Sequence, residues 1–161
     1  HVLNDEYYKR IEAIQFTMSH DDGKRTEDLS NSDVILLGVS RTSKTPTSIY
    51  LANRGFKTTN IPLVPNQDIP KDLKSKNFKC CVVGLFADPD RLSDIRRNRI
   101  ALMKEDRSSS YIDISSIQKE VEDSKILFRK YNWPTIDVTR KSVEETAASI
   151  IKIYEIYSQK Q

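Results

Sequence analysis

Residues 34–45 read VILLGVSRTSKT, and the order of apolar and polar residues in this stretch is the strongest indication of the fold. Val34–Leu37 is a continuous apolar run, which is typical of a parallel strand covered on both faces. The run enters a loop that begins at Gly38 and ends on a Lys-Thr pair, and Pro46 is tolerated in the first turn of a following helix. Loop amides and a helix N-terminus favour bound anions at such a junction. The stretch therefore predicts a phosphate-binding loop between a strand and a helix.

Each position of this loop has an expected role. Lys44 is predicted to place a positive charge at the β-phosphate or the transferred phosphate, and Thr45 to offer a hydroxyl to Mg²⁺. Ser43 stands where a second glycine is usual, and Arg41 adds a second cation. We expect Lys44 to be exposed, so that Lys44→Ala removes activity and leaves the fold intact. The predicted nucleotide-binding residues are Gly38, Val39, Ser40, Arg41, Thr42, Ser43, Lys44 and Thr45. The alternative is a plain strand-to-helix turn with a solvated lysine.

The rest of the chain alternates strands with helices. Prolines 62 and 65 suggest that a strand over 58–64 either lies at an edge of the sheet or ends at these residues. Further predicted elements are a strand at 80–86, helices at 88–102 and 114–131, a strand at 135–138, and a terminal helix capped by Ser142 and Glu145. This order predicts an α/β fold of the P-loop kinase-like kind, a mostly parallel sheet flanked by helices. In such sheets the ligand lies at the carboxyl ends of the strands.

An N-terminal helical arm precedes this core. A helix from Asp5 to about Met18 is predicted, because apolar residues recur at helical spacing at Tyr7, Ile11, Ile14 and Met18. Residues 23–32 are polar and are interpreted as a surface loop. We predict one domain over 1–161, in which 1–30 form a lead-in helix and turn and 31–161 form the α/β core.

Composition narrows the classes of function. The 161 residues include 26 basic and 23 acidic side chains mixed along the chain, and a net charge of +3 does not indicate a nucleic-acid partner. No apolar stretch approaches the ~20 residues of a membrane span. Cys80 and Cys81 are neighbours in an apolar run, which suits neither a disulfide framework nor a metal cluster. We therefore expect a cytoplasmic protein.

Longer stretches of the sequence resemble the pyruvate, phosphate dikinase regulatory proteins and the related phosphoenolpyruvate synthetase regulatory proteins. The resemblance is strongest in GVSRTSKTPTSIYLANRG at 38–55 and NIPLVP at 60–65, where serine at position 43 is itself the family's pattern. It continues in RIEAIQF (10–16), HDDG (20–23), PDRL (89–92), IRRNR (95–99), WPTIDVT (133–139) and EETA (144–147).

This resemblance implies a bifunctional enzyme. Such proteins use ADP as phosphoryl donor to phosphorylate and inactivate a threonine of the dikinase or the synthetase, and they reverse this with inorganic phosphate, releasing pyrophosphate. The loop over 38–45 would then bind ADP. The family's proteins have an additional N-terminal segment, so an N-terminally truncated member is expected, and an oligomer is left open.

Acidic residues supply candidates for proton transfer and metal binding. Asp21 and Asp22 share a turn and are predicted to act as a base and a Mg²⁺ contact, with Asp22 preferred as the base and His20 as its orienter. The alternative is that they only turn the chain. Asp88 follows a predicted strand and is a candidate Mg²⁺ ligand, or else the N-cap of the next helix. Asp137, in the last predicted strand, is open to the same two kinds of interpretation, functional or structural.

Four arginines fall within nine residues of one predicted helix. They are candidates for a lid over ADP, or for holding a phosphorylated histidine of the target, because guanidinium groups bind phosphate in bidentate fashion. The alternative is a solvated face paired with Asp90 and Asp94. Ser108–Ser110 is interpreted as a mobile loop beside them. The four are Arg91, Arg96, Arg97 and Arg99.

Two other functions remain open at this point. A small-metabolite or nucleotide kinase would use the same strand, loop and helix, and would transfer phosphate from ATP to a metabolite. A non-catalytic nucleotide-binding module would bind ADP tightly without transfer. The sequence also leaves open whether the target is the dikinase or the synthetase.

Overall fold

The computed structural model describes residues 4–103 and 111–160. Four parallel strands form one sheet in the order β2-β1-β3-β4. The strands are β1 (Val34–Gly38), β2 (Thr58–Pro62), β3 (Cys81–Phe86) and β4 (Thr135–Asp137). The helices are α1 (Asp5–Ser19), α2 (Lys44–Asn53), α3 (Lys71–Lys74), α4 (Pro89–Met103), α5 (Ile114–Lys130) and α6 (Val143–Gln159). The predicted α/β class, with a parallel sheet flanked by helices, is confirmed.

The sheet places the end of β1 beside both of its neighbours. Gly38 pairs in register with Pro62 of β2 and Leu85 of β3, so three carboxyl ends meet at one edge. All five residues of β1 are buried, as the apolar run predicts. The edge position predicted for β2 is also confirmed.

Apolar side chains cover both faces of the sheet. On one face Leu36 and Val83 pack with Leu51 of α2 and Ile150 of α6. On the other face, side chains of alternate strand residues pack with Phe128 of α5, which is fully buried. This double covering fixes the sheet between helices and leaves its carboxyl edge to form the site.

Helix α1 packs on α2 and β2 through small residues. Ala13 and Thr17, four residues apart, are buried, and the Thr17 hydroxyl accepts the N–H of Thr58 at 3.1 Å. The prediction that the apolar stripe forms the buried face of α1 is wrong, because Ile11 and Met18 are 37% and 64% exposed. Small side chains occupy the buried face of α1 because they permit close approach to the neighbouring backbone.

The segment over 23–32 is not wholly a surface loop. Leu29 begins a short 3-10 turn, Leu29–Asn31, and its side chain is fully buried in the core beneath α5. Ser32 is also buried and shares a hydrogen bond of 2.6 Å with Thr59. One apolar side chain among polar residues is therefore enough to anchor the connection.

The helix ends follow the local sequence signals. The capping box of Ser142 and Glu145 is present at α6, and Gly55 follows α2 with a φ of +90°. The short helix α3 is not predicted from the sequence. Ser108–Ser110 lie outside the described residues. No helix within residues 4–103 and 111–160 is long and apolar enough to span a membrane.

Candidate functional site

The loop between β1 and α2 is tightly constrained at its start. A Cβ on Gly38 would lie 2.6 Å from the Thr42 hydroxyl and 2.9 Å from the Leu85 carbonyl oxygen. Arg41 and Ser43 both adopt left-handed backbone, with φ of 71° and 63°. Ser43 thus takes the conformation that glycine would supply, at a cost of roughly 1–2 kcal/mol for a residue with a Cβ.

Lys44 lies inside the loop and is only 7% exposed. Its Nζ donates to the Val39 carbonyl oxygen at 2.9 Å and lies 3.4 Å from the Thr42 hydroxyl. Burial lowers the pKa of the amine from 10.5 to about 8, although the nearby charge of Asp22 acts in the opposite direction. The prediction that Lys44 is exposed is therefore wrong, because the loop curls around its side chain.

The acidic turn lies directly against the loop. The Thr45 hydroxyl donates to Asp21 Oδ1 at 2.8 Å, and Asn60 Nδ2 donates to the same oxygen at 2.5 Å. The Asp22 N–H donates to Asn60 Oδ1 at 2.9 Å, and Asp22 has a φ of 54°. The structure therefore brings both aspartates to the loop between β1 and α2. Asn60 is a site residue that the sequence does not single out, because its amide is one of three polar side chains in Thr58–Pro62.

One large cavity joins these groups. It has a volume of about 1260 Å³ and is lined by the acidic turn, the loop, the segment after β2 and one face of α5. Lining residues include Asp21, Asp22, Ser40, Arg41, Lys44, Thr45, Leu63, Asn66, Arg99, Lys119, Asp123 and Leu127. The volume of this cavity exceeds the ~300–1,000 Å³ that is usual for small-ligand pockets.

His20 has a different role from the one predicted. Its ring is 1% exposed and stacks on Phe16 at 3.8 Å. Nε2 lies 2.7 Å from Asp28 Oδ1, and Nδ1 lies 2.7 Å from the Phe16 carbonyl oxygen. The hydrogen bond from His20 lowers the pKa of Asp28. His20 thus fixes the chain on both sides of the turn, and its ring does not orient the Asp22 carboxylate.

The four arginines do not form one group. Arg91 and Arg97 are exposed on α4, and Arg99 lines the cavity. Arg96 is fully buried and pairs with Glu120 of α5 at 3.0 Å, so it is neither a lid residue nor part of a solvated face. Burial beneath the loop overturns both interpretations of this residue.

Asp88 and Asp137 make local contacts. Asp88 Oδ2 accepts the N–H of Arg91 at 3.3 Å, as an N-cap does, and Asp88 does not line the cavity. Asp137 Oδ1 accepts the hydroxyl and the N–H of Thr139. The structure thus gives Asp88 the capping role, and its Mg²⁺ role stays a prediction.

A hydroxyl and a carboxylate meet where a metal ion could be held beside a phosphate. Mg²⁺ prefers hard oxygen ligands and commonly uses one or two carboxylates together with substrate phosphates. Thr45 and Asp21 provide such oxygens 2.8 Å apart. The residues present therefore fit Mg²⁺ in company with a phosphate, although no cluster of three acidic, histidine or cysteine ligands occurs in the described part of the chain.

The parallel sheet flanked by helices, with a loop at the carboxyl end of β1 and a buried lysine at the start of α2, defines an α/β protein. Comparison with known proteins identifies the family. The profile of the kinase/pyrophosphorylase family matches residues 1–151, and the chain belongs to that family.

Similar proteins carry one name. A Pelagibacter ubique protein is 66% identical over 97% of this chain and 57% of its own length. Proteins of Bradyrhizobium diazoefficiens and Caulobacter vibrioides are 54% and 51% identical, over 96% and 95% of this chain and 55% and 48% of their own lengths. All three are provisionally named pyruvate, phosphate dikinase regulatory protein. The chain spans about half the length of these relatives.

Proposed function

We propose that this chain carries the nucleotide site of a bifunctional enzyme that acts on a threonine of pyruvate, phosphate dikinase. The enzyme transfers phosphate from ADP to the threonine, and removes it with inorganic phosphate to give pyrophosphate. The observation that supports this most is the placement of Lys44 and Asp22 on one cavity. The names of the relatives favour the dikinase over the synthetase as the target.

The loop suits a diphosphate. Its amides and the N-terminus of α2 attract anions, and Lys44 and Arg41 bring two positive charges to the same place. Lys44 Nζ rests on the Val39 carbonyl oxygen, and a phosphate oxygen offers it a stronger, charged partner. The cavity is large enough to admit a side chain of a protein target beside the nucleotide.

Asp22 is the proposed base of both reactions. In the forward direction its carboxylate takes the threonine hydroxyl proton, the threonine oxygen bonds to the β-phosphorus, and the bond to the bridging oxygen breaks to release AMP. In the reverse direction Asp22 takes a proton from inorganic phosphate, whose oxygen attacks the phosphothreonine. The proton then returns to the threonine oxygen as pyrophosphate leaves. Thr45 and Asp21 would hold Mg²⁺, which neutralises charge on the phosphates.

Asp22→Asn is expected to lower the transfer rate by about 10²–10⁴-fold, the usual contribution of a positioned base. ADP affinity should change by less than about threefold, since the amide keeps the shape of the side chain. Transfer is measured with β-labelled ADP and purified dikinase, and affinity by calorimetry. Asp21→Asn is the matched comparison, because Asp21 holds Thr45 and its loss should weaken binding. An equal loss of rate and affinity in Asp22→Asn would assign Asp22 to binding instead.

ADP affinity should depend on the protonation of Lys44. Because burial lowers the pKa of the free amine to about 8, the cation that binds phosphate is lost as pH rises through that value. The dissociation constant should therefore rise about tenfold between pH 7 and pH 9. Lys44→Met should bind weakly with no such rise. A dissociation constant for the unsubstituted chain that stays constant over this range would contradict the assignment of Lys44 to the phosphates.

The same assay separates the competing functions. We expect label to move from ADP to the dikinase, and phosphate to release it as pyrophosphate. Transfer from ATP to a metabolite, with none to the dikinase, would indicate a small-metabolite kinase. Tight binding of ADP without transfer in either direction would indicate a nucleotide-binding module.

A further inference from the structure

Arg96 lies beneath the phosphate loop and uses both terminal nitrogens there. Nη1 donates to the Tyr111 carbonyl oxygen at 2.9 Å and to Glu120 Oε2 at 3.0 Å. Nη2 donates to Glu120 Oε1 at 3.1 Å and to the Ser40 carbonyl oxygen at 3.2 Å. One guanidinium therefore joins α4, α5 and the loop.

The contact with Ser40 fixes the direction of the next amide. In a trans peptide the C=O and the following N–H point in opposite directions. Arg96 draws the Ser40 carbonyl oxygen to the buried side of the loop, so the Arg41 N–H faces the opposite side. Ser40 and Arg41 both line the cavity, whereas Arg96 is fully buried behind them.

This peptide orientation requires an unfavourable backbone. Arg41 has a φ of 71°, which costs roughly 1–2 kcal/mol in a residue with a Cβ. The surroundings must therefore hold the loop in this form. The Tyr111 hydroxyl bonds the Ser40 hydroxyl at 2.9 Å, and the Tyr111 ring lies 4.7 Å from the Arg96 guanidinium. Arg96 thus gives the carbonyl oxygen of the strained peptide a hydrogen bond from a charged donor.

Burial of this arginine is costly in itself. A charge removed from water destabilises the fold unless it is paired and hydrogen bonded, and the Arg96 Nε has no hydrogen-bond partner among the described residues. An apolar side chain would fill the same space without that cost. The four donated hydrogen bonds are therefore better explained by a requirement for loop geometry than by stability.

We propose that Arg96 is a positioning residue that turns the Arg41 N–H into the cavity and thereby sets the affinity of the loop for a nucleoside diphosphate. This rests on the proposed function, since it assumes that ADP binds at the loop. Arginine is required because a lysine keeps the charge opposite Glu120 but cannot hold the carbonyl oxygens of Ser40 and Tyr111 together.

The test compares ADP affinity in two backgrounds by calorimetry. Arg96→Lys should weaken ADP binding about tenfold, the effect of one misdirected hydrogen bond to a charged group. Arg41→Gly removes the cost of the left-handed backbone, so in that background Arg96→Lys should weaken binding by less than about threefold. A merely structural role would give equal losses in both backgrounds. Arg97→Lys, on the exposed side of α4, is the matched control and should bind as the unsubstituted chain does.

Each outcome has a separate meaning. Unchanged affinity in Arg96→Lys, or the same loss with Gly at position 41, overturns the proposal for Arg96 alone. Failure of the unsubstituted chain to bind ADP overturns the proposed function, and the role of Arg96 with it. If Arg96→Lys does not fold, the pair Arg96→Met and Glu120→Met leaves no buried charge and is compared in the same two backgrounds.

Discussion

Lys44→Met is expected to reduce phosphoryl transfer in both directions by about 10²–10³-fold, the usual cost of removing one charged group that stabilises a transition state. Methionine fills the same narrow space but offers no charge to the phosphates. Nζ is enclosed by the loop, where it contacts the Val39 carbonyl oxygen and the Thr42 hydroxyl. Transfer is measured with labelled ADP and dikinase.

The same substitution should raise stability. The Lys44 amine binds its proton less tightly in the folded chain than in the unfolded chain, where the pKa is near 10.5. Its protonated form therefore opposes folding below about pH 8, and this penalty is relieved as pH rises from about 8 to 10.5. The difference corresponds to about 3 kcal/mol at neutral pH. After the loss of two hydrogen bonds, Lys44→Met should gain about 1–2 kcal/mol in unfolding free energy.

Lys119→Met provides the control. Lys119 lines the same cavity, but its side chain is 79% exposed and pairs with Asp123 on the surface of α5. Lys119→Met should change neither the activation free energy of transfer nor the free energy of unfolding by more than about 0.5 kcal/mol. Activity retained in Lys44→Met, or a destabilised Lys44→Met chain at pH 7, would contradict the account of the loop.

Among the substitutions proposed for this chain, Gly84→Ala is expected to give the largest loss of unfolding free energy. Gly84 lies within β3, and a Cβ there would lie 2.6 Å from three ring atoms of Phe128. The ring is fully buried and packs in the core cluster with Ile35, Leu37 and Val82. Overpacking of this kind costs about 3 kcal/mol, or a decrease in Tm of about 10 °C for a chain of this size.

A second substitution tests the cause. Phe128→Leu shortens the side chain that opposes Gly84, so the double variant should be more stable than Gly84→Ala alone. Thermal unfolding followed by circular dichroism measures all three variants. If Gly84→Ala unfolds at the temperature of the unsubstituted chain, the close contact between β3 and α5 is not as described.

Much of the fold could be predicted because its signals are local. The apolar run of β1, the prolines beside β2 and the capping box of α6 each determine their own element. The buried face of α1 could not be predicted from apolar spacing, since Ala13 and Thr17 are selected by close contact with β2. The burial of Leu29 likewise depends on a distant partner, Phe128.

In the candidate site, too, some features follow from local sequence patterns and others depend on distant contacts. The loop and the acidic turn carry recognisable local patterns, and the structure places both on one cavity. The burial of Lys44 depends on the path of the whole loop, and the role of Asn60 depends on the pairing of β2 with β1. The sequence groups Arg96 with the neighbouring arginines, but its contacts lie on α5 and the loop. Contacts between distant segments are therefore what the sequence leaves undetermined.

A crystal structure of the chain with ADP and Mg²⁺ would show whether the loop over 38–45 encloses a diphosphate. We predict that the phosphates lie against the amides of residues 40–45, and that Lys44 Nζ leaves the Val39 carbonyl oxygen to contact a phosphate oxygen. ADP bound elsewhere on the chain, with Lys44 still on Val39, would contradict the account.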